Sequence, residues 1–238
     1  LGLGDSEYNR QELEAAGFER TGVLPIVLDL AKYQRPPSPV VRRLYDDERT
    51  NVLFVGRVIP NKKIEDLVRT FAAYQRWVEP KSRLLLVGDT RGFERYFDRL
   101  QELVSELRVD EVVFTGQVDD DELYACYREA DVFLCLSEHE GFCVPLQEAM
   151  HFGVPVLAYD AGAVRETLHG GGVLLEEKDP LEVAELLGRV TRDEGFRRKI
   201  LATQERAMAA VRSTDFGALL LERLRPVLEG ESQEAGPR

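Results

Sequence analysis

Six short, nearly unbroken apolar runs recur along this chain, each followed by Gly or a polar residue and then by a helical pattern. They occupy residues 51–55, 83–87, 111–115, 131–136, 154–159 and 172–175. Strands of a half-exposed sheet alternate apolar and polar residues, whereas strands covered on both faces read as continuous Val/Ile/Leu runs. The first pair of runs starts about thirty residues apart and later pairs about twenty, enough for a crossover helix each time. The expectation is an α/β chain: a Rossmann-like open parallel sheet of about six strands flanked by helices. Three runs end directly on glycine, at Gly56, Gly88 and Gly116. Gly there lets the backbone turn sharply and approach a ligand.

Amphipathic stretches fit between the runs. Ile64, Leu67, Val68 and Phe71 share one helix face; Phe97, Leu100, Leu103, Val104 and Leu107 share another. A third helix holds Leu123, Tyr124 and Tyr127 and starts at Asp119-Asp120-Asp121, where carboxylates suit the positive helix N-terminus. Past residue 180 the pattern is helical only, over 181–191, 194–211 and about 215–228. The last residues, 230–238, rich in Glu, Gly, Ser and Pro, read as a disordered tail. The first part differs: a short helical pattern at 6–16, an apolar stretch at 22–30 broken by Pro25, and a proline-rich linker at 35–39. These divisions separate residues 1–49, 50–192, 193–229 and 230–238.

An open parallel sheet binds its ligand at the carboxyl ends of its strands, so the segments just after each run matter most. The first is Gly56-Arg57-Val58-Ile59-Pro60-Asn61-Lys62-Lys63. Cations just before a helix N-terminus are electrostatically disfavoured. Arg57 and Lys62 there suit a diphosphate, the guanidinium forking two oxygens and the ammonium acting as a point charge. The second runs from Ser137 through Glu140, Gly141, Phe142, Cys143 and Val144 to Glu148 and Met150. Pro145 fits a first helical turn, and the amides of 142–144 can receive phosphate oxygens. Glu140 and Glu148, eight apart, suit hexose hydroxyls and a ribose diol; spacing alone reads equally well as two solvated glutamates.

Charge narrows the ligand. The 238 residues carry 43 acidic and 31 basic side chains, a net charge of −12. A phosphate-tracking nucleic-acid surface needs clustered cations, so no nucleic-acid partner is expected. A small anion is still allowed, because a pocket can be locally positive. Cys126, Cys135 and Cys143 lack CxxC spacing, and His139, His151 and His169 lack an HExxH pattern. Neither a metal nor a disulfide is expected, and buried thiols suit a reducing cytoplasm. No apolar run approaches the roughly 20 residues needed to span a bilayer.

Gly56-Arg57 with Lys62, followed by Glu140 and Glu148, resembles the group 1 (family 4) retaining glycosyltransferases of the GT-B fold. EGFCVPLQEAM follows that family's EGFGxPxxEAM, and VGRVIPNKKIEDLVRTF resembles its VGRLxxxKGxDxLIxAF. LLLVGD at 84–89, VVFTGQV at 112–118 and GVPVLAYDAGAVRETL at 153–168 also match, in order, over about residues 50–190. The resemblance implies the C-terminal, nucleotide-sugar-binding half of such an enzyme. Arg57, Lys62 and Glu140 would be its catalytic residues: the two cations on the diphosphate, Glu140 on the donor sugar. Gly56, Val118, Gly141, Phe142, Cys143, Val144 and Glu148 would complete the donor site, with Glu148 on the ribose and Val118 beside the base. It implies no cofactor beyond the donor, which is a UDP-sugar or GDP-mannose.

It also implies that residues 1–49 end an N-terminal acceptor domain and link it to this one, VLPIVLD at 23–29 resembling the linking VIPNGVD. Residues 193–229 would pack on the domain and its interface. The chain begins with Leu and carries no signal-like segment, so it reads as a piece of something longer. The acceptor, a glycan, lipid or small molecule, would sit in the absent half. A cytoplasmic location follows from donor availability and is compatible with peripheral association at the inner membrane face.

Departures are Cys143 and Lys63 where the family usually has Gly, and Gln147 and Arg165 at more typically apolar or Pro positions. A side chain at Cys143 is expected to restrict the backbone there. A stand-alone nucleotide-sugar or nucleoside-diphosphate binder is the alternative. A nicotinamide-dependent oxidoreductase would need G-x-G-x-x-G after the first strand, which Gly56-Arg57-Val58 does not supply. A GT-B epimerase would not be expected to carry the Glu-x7-Glu string.

Overall fold

The computed structural model describes residues 1–234. Its main body is a six-stranded, all-parallel sheet: β3 (Thr50–Val55), β4 (Ser82–Val87), β5 (Val112–Gly116), β6 (Val132–Cys135), β7 (Val156–Tyr159) and β8 (Val173–Leu175). All six expected strands are present, and the α/β reading stands. The spatial order is β5-β4-β3-β6-β7-β8. The chain starts in the middle, winds outward through β4 and β5, then returns to lay β6 against β3 and winds outward the other way. Strand order therefore reverses between β3 and β6, the switch point where such sheets bind ligands.

Burial explains the continuous apolar runs. Val52, Leu53, Leu84, Leu85, Val132, Phe133 and Leu157 are completely buried, so successive residues on both faces are covered. Two helix layers cover them. Helix α3 (Ile64–Trp77) packs on α4 (Glu94–Leu107) and α8 (Pro180–Arg192). On the other side α6 (Val144–His151) packs on α7 (Val164–Leu168) and α9 (Glu194–Ser213). Helix α3 buries Ile64, Leu67, Val68, Phe71 and Tyr74, one 3.6-period stripe. Helix α5 (Asp120–Arg128) begins with a capping box: Asp119 accepts from Glu122 N while the Glu122 side chain accepts from Asp119 N. The aspartate triplet is therefore a helix start.

The first fifty residues hold more structure than their composition suggests. Strands β1 (Gly2–Gly4) and β2 (Thr21–Val23) form a separate parallel pair bridged by α1 (Glu7–Ala15). Only the start of the 22–30 stretch is strand; Ile26 and Val27, past Pro25, are exposed. A 3-10 turn at Leu30–Gln34 and helix α2 (Pro39–Tyr45), packed on α5, occupy the segment read as linker. At the other end α9 is tied to the sheet by Gln204. Its side chain accepts from Val156 N and donates to Val154 O, both at 2.8 Å. Helix α10 (Phe216–Glu234) continues past Gly230 into the stretch expected to be a disordered tail; residues 235–238 of that stretch lie outside the described residues. Arg223 on α10 donates to Val23 O at 3.1 Å, joining the last helix to the first unit.

Candidate functional site

Two loops meet at the switch point because their strands are neighbours. The loop after β3 carries Arg57 and Lys62; the loop after β6 carries Glu140. Backbone bonds stitch them together: Glu138 N donates to Asn61 O at 2.9 Å, and the Asn61 amide donates to His139 O at 3.3 Å. Lys62 Nζ then lies 2.7 Å from Glu140 Oε1 and 2.6 Å from Oε2. Glu140 is only 4% exposed, so its carboxylate depends on this ammonium for charge compensation. Arg57 is exposed at the same edge, its guanidinium 5.7 Å from the centre of the Phe93 ring.

A second layer of charge braces the loops. Lys63 pairs with Glu138 at 3.1 Å, and Lys178 bridges Glu138 at 2.9 Å and Asp66 at 2.7 Å. Both lysines hold the Glu138 carboxyl below its ordinary range, Lys178 contributing most. The opposite support comes from the turn before α7. Gly162 adopts φ +58°, and a Cβ there would lie 2.3 Å from Glu140 O, so only glycine lets this turn close under the loop. Ala163 N donates to that same carbonyl at 2.9 Å, and Thr167 Oγ1 donates to Phe142 O. Gly88 plays a similar part across β3 and β4: a Cβ there would meet Gly56 O at 1.9 Å.

Both departures at glycine positions keep a glycine-like backbone. Lys63 has φ +50° and Cys143 φ +70°, so the restriction expected from the Cys143 side chain makes this left-handed backbone costly but does not keep the chain out of it. Cys143 precedes α6 without a side-chain cap, and Pro145 stands in the first turn. Helix start and turn geometry thus aim the segment Gly141–Val144 at the switch point. Gln147 is 1% exposed and donates to Thr167 O at 3.3 Å, and Arg165 pairs with Asp160 at 3.1 Å. Val118, half-buried, packs on the core just after β5.

Glu148 has internal partners that the sequence did not suggest. It is buried, and its carboxylate accepts from Tyr33 Oη at 2.7 Å and from Tyr127 Oη at 2.9 Å, with Lys32 Nζ at 3.8 Å. Burial and this carboxylate push both phenols above their ordinary pKa, burial being the larger cause. Tyr33 also packs edge-on against Tyr124 and Phe152. The structure thus joins Lys62 to Glu140 directly, while Glu148 bonds to a linker tyrosine and a helix tyrosine. Sequence reasoning missed Tyr33, Tyr127, Gly162 and Lys178. Gly162 lay within a matched motif; Tyr33, in a segment without periodicity, offered no signal.

The βαβ unit at the start of the chain touches the same loop. Glu166 Oε2 accepts from Glu7 N at 2.7 Å and Oε1 from Tyr8 N at 3.0 Å, a carboxylate seated on the first turn of α1. Tyr8 Oη lies 3.4 Å from His139 Nδ1. Two thiols complete the surroundings. Cys135 Sγ, Cys143 Sγ and a Glu140 oxygen lie within 4.8 Å of one another. The proximity of the two thiols lowers the Cys135 pKa; with burial, it raises that of Cys143 well above the usual thiol range.

Residues 42–207 match the protein family described as glycosyl transferases group 1. A GDP-mannose-dependent alpha-mannosyltransferase of Mycobacterium tuberculosis is 38% identical over 194 residues, covering 78% of this chain and 47% of that protein. A D-inositol 3-phosphate glycosyltransferase of Thermomonospora curvata is 33% identical over 208 residues, covering 80% and 48%. Among solved structures, that of Anabaena Alr3699/HepE in complex with UDP-glucose superposes with a TM-score of 0.79 at 22% identity, over 95% of this chain and 63% of that one. This last likeness is one of fold. The chain spans about half the length of these two curated relatives.

Proposed function

The chain belongs to the group 1 glycosyl transferases, and from that premise we propose that it is the donor-binding half of a retaining hexosyltransferase using a nucleotide-diphosphate sugar. The observation that carries this reading is the Lys62–Glu140 contact at the switch point, with Arg57 on the same strand end. A diphosphate brought to this edge draws the Lys62 ammonium toward its oxygens and Arg57 into a forked contact. Glu140, relieved of part of its partner, accepts from hydroxyls of the donor hexose. As the glycosidic C–O bond breaks, charge grows on the departing diphosphate. The two cations, by then drawn onto the diphosphate, and the amides of Gly141–Val144 meet that charge as it develops, which is electrostatic catalysis. In this reading the reaction needs no divalent metal.

Glu148 is the ribose ligand in this reading, with one phenol bond given up or shared on binding, and Val118 lies beside the base. The donor is a UDP-sugar or GDP-mannose; the mycobacterial relative is GDP-mannose-dependent, and the Anabaena structure is a complex with UDP-glucose. The acceptor, a glycan, lipid or small molecule, sits across a cleft completed by a further domain. Such donors place the reaction in the cytoplasm, compatible with the inner membrane face. Among the described residues no helix is long and apolar enough to cross a membrane.

Calorimetric titration with UDP, GDP and ADP, with and without EDTA, tests the reading. The expected result is binding of one nucleotide, indifferent to EDTA and weakened by Lys62→Ala. Binding that vanishes in EDTA would overturn the metal-free account. Absence of binding both here and in a two-domain protein would overturn the donor site itself. Nucleotide binding without transfer in a two-domain protein would favour the stand-alone binder.

A further inference from the structure

The thiols of Cys135 and Cys143 are brought together by tertiary structure, one from the end of β6 and one from the turn into α6. With a Glu140 oxygen they form three potential donors within 4.8 Å of one another. Cys135 Sγ is 3.9 Å from Glu140 Oε1 and 3.3 Å from Ser137 Oγ. In a tetrahedral zinc site, Zn–S bonds of about 2.3 Å and Zn–O bonds of about 2.0–2.2 Å put neighbouring ligand atoms roughly 3.5–4 Å apart. The cluster therefore needs only small closures to enclose an ion.

Charge allows such an ion. Once metal binding has displaced both thiol protons, two thiolates and one carboxylate, the Cys143 sulfur only partly buried, carry more negative charge than Lys62 alone offsets. A divalent cation plus the Lys62 ammonium balances the group, since both Glu140 oxygens border Lys62 and Oε1 also faces Cys135. Sulfur donors exclude magnesium and calcium, which take oxygen ligands, and favour zinc or a similarly thiophilic ion. The backbone supports this: Cys143 holds φ +70°, a conformation costly to a residue with a Cβ, with its side chain turned toward Cys135.

We propose that Cys135, Cys143 and Glu140 Oε1 form a binding site for a thiophilic divalent cation, completed by water. Binding releases the two thiol protons to solvent and takes one Glu140 oxygen from Lys62. The ion thereby opposes donor binding at the same loop, a consequence that rests on the donor reading above; the metal site itself does not.

Cobalt(II) titrated anaerobically into the whole chain, without nucleotide and with a non-chelating phosphine reductant, reads the site directly. A thiolate-to-cobalt charge-transfer band saturating at equimolar metal, with the visible absorption of tetrahedral cobalt, is expected, and zinc should bleach both. Cys143→Gly, which relaxes the positive φ while removing a ligand, should lose the band, as should Cys135→Ala; Cys126→Ala, buried elsewhere, should keep it. Absence of the band in the parent protein, or its survival in Cys143→Gly, would overturn the site. Adding zinc to the nucleotide titration then tests the competition: unchanged affinity at saturating zinc would refute it. Failure of all nucleotides to bind would count against the donor reading, leaving the cobalt spectrum to decide the metal site.

Discussion

The phenol of Tyr33, from the turn that precedes the main sheet, donates to the carboxylate of Glu148 on α6 across 2.7 Å, inside the core. The linker thus holds one oxygen of a residue to which the donor reading gives the ribose. Tyr127 holds the other at 2.9 Å. Tyr33→Phe removes a buried bond to a charged acceptor and should destabilise the protein by about 1–2 kcal/mol in chemical denaturation. Nucleotide affinity should hold or rise in the same variant, because an acceptor oxygen is released. A fall in affinity would mean that Tyr33 helps hold the ligand and does not compete with it.

Lys62→Ala should act twice. Stability should fall by about 1–3 kcal/mol, because the 4%-exposed Glu140 carboxylate loses its compensating charge. Diphosphate affinity should fall more than nucleoside affinity. Adding Glu140→Gln should restore much of the stability but none of the diphosphate binding. Paired denaturation and calorimetry separate the two effects, and equal losses for diphosphate and nucleoside would remove Lys62 from the phosphates.

Gly162→Ala should cost about 2 kcal/mol or more, combining a left-handed φ with a methyl 2.3 Å from Glu140 O. The shift it forces passes through the Ala163 N–Glu140 O bond into the loop that carries Glu140. Nucleotide-sugar affinity should therefore drop although residue 162 touches no ligand. Gly153→Ala, also at positive φ but with open space around its Cβ position, should strain the backbone without moving the loop.

The six central strands were legible because burial on both faces leaves no room for alternation, and that constraint writes itself into consecutive residues. That Lys62 and Glu140 follow strand ends was legible for a similar reason, since each comes just after a buried run; that they pair with each other was not. The partners of Glu148 were not, since Tyr33 lies 115 positions away in a segment with neither helical nor strand periodicity. Strand β1, three residues with two glycines, has too little apolar content to register. The meeting of Cys135 and Cys143 depends on how one turn folds back, a property of the backbone path and not of spacing.

Acid should loosen the brace around Glu138. Its carboxyl is held below the ordinary value of about 4.5 by Lys178 and Lys63, so the folded state keeps it charged where the unfolded chain would protonate it. Its contribution is complete above the unfolded pKa and is lost as pH falls through the depressed folded value. Glu138→Gln should thus lie below the parent in stability at neutral pH and converge with it as pH falls below about 4.5. Urea denaturation across that range checks the sign; a gap that widens on acidification would refute it. The exposure of Glu138 makes the effect small and sensitive to salt.

The reversal of strand order also has a consequence for how this site comes into being. Lys62 belongs to the first half of the sheet and Glu140 to the second, with the connection from β5 to α5 between them. A cut at Gln117, exposed in that connection, would divide the protein into two pieces that each hold one member of the ion pair. Neither piece owns the whole donor site. If the pieces recombined, recovered affinity for nucleotide would report that β6 had found its place beside β3, making ligand capture a reporter of assembly at the middle of the sheet.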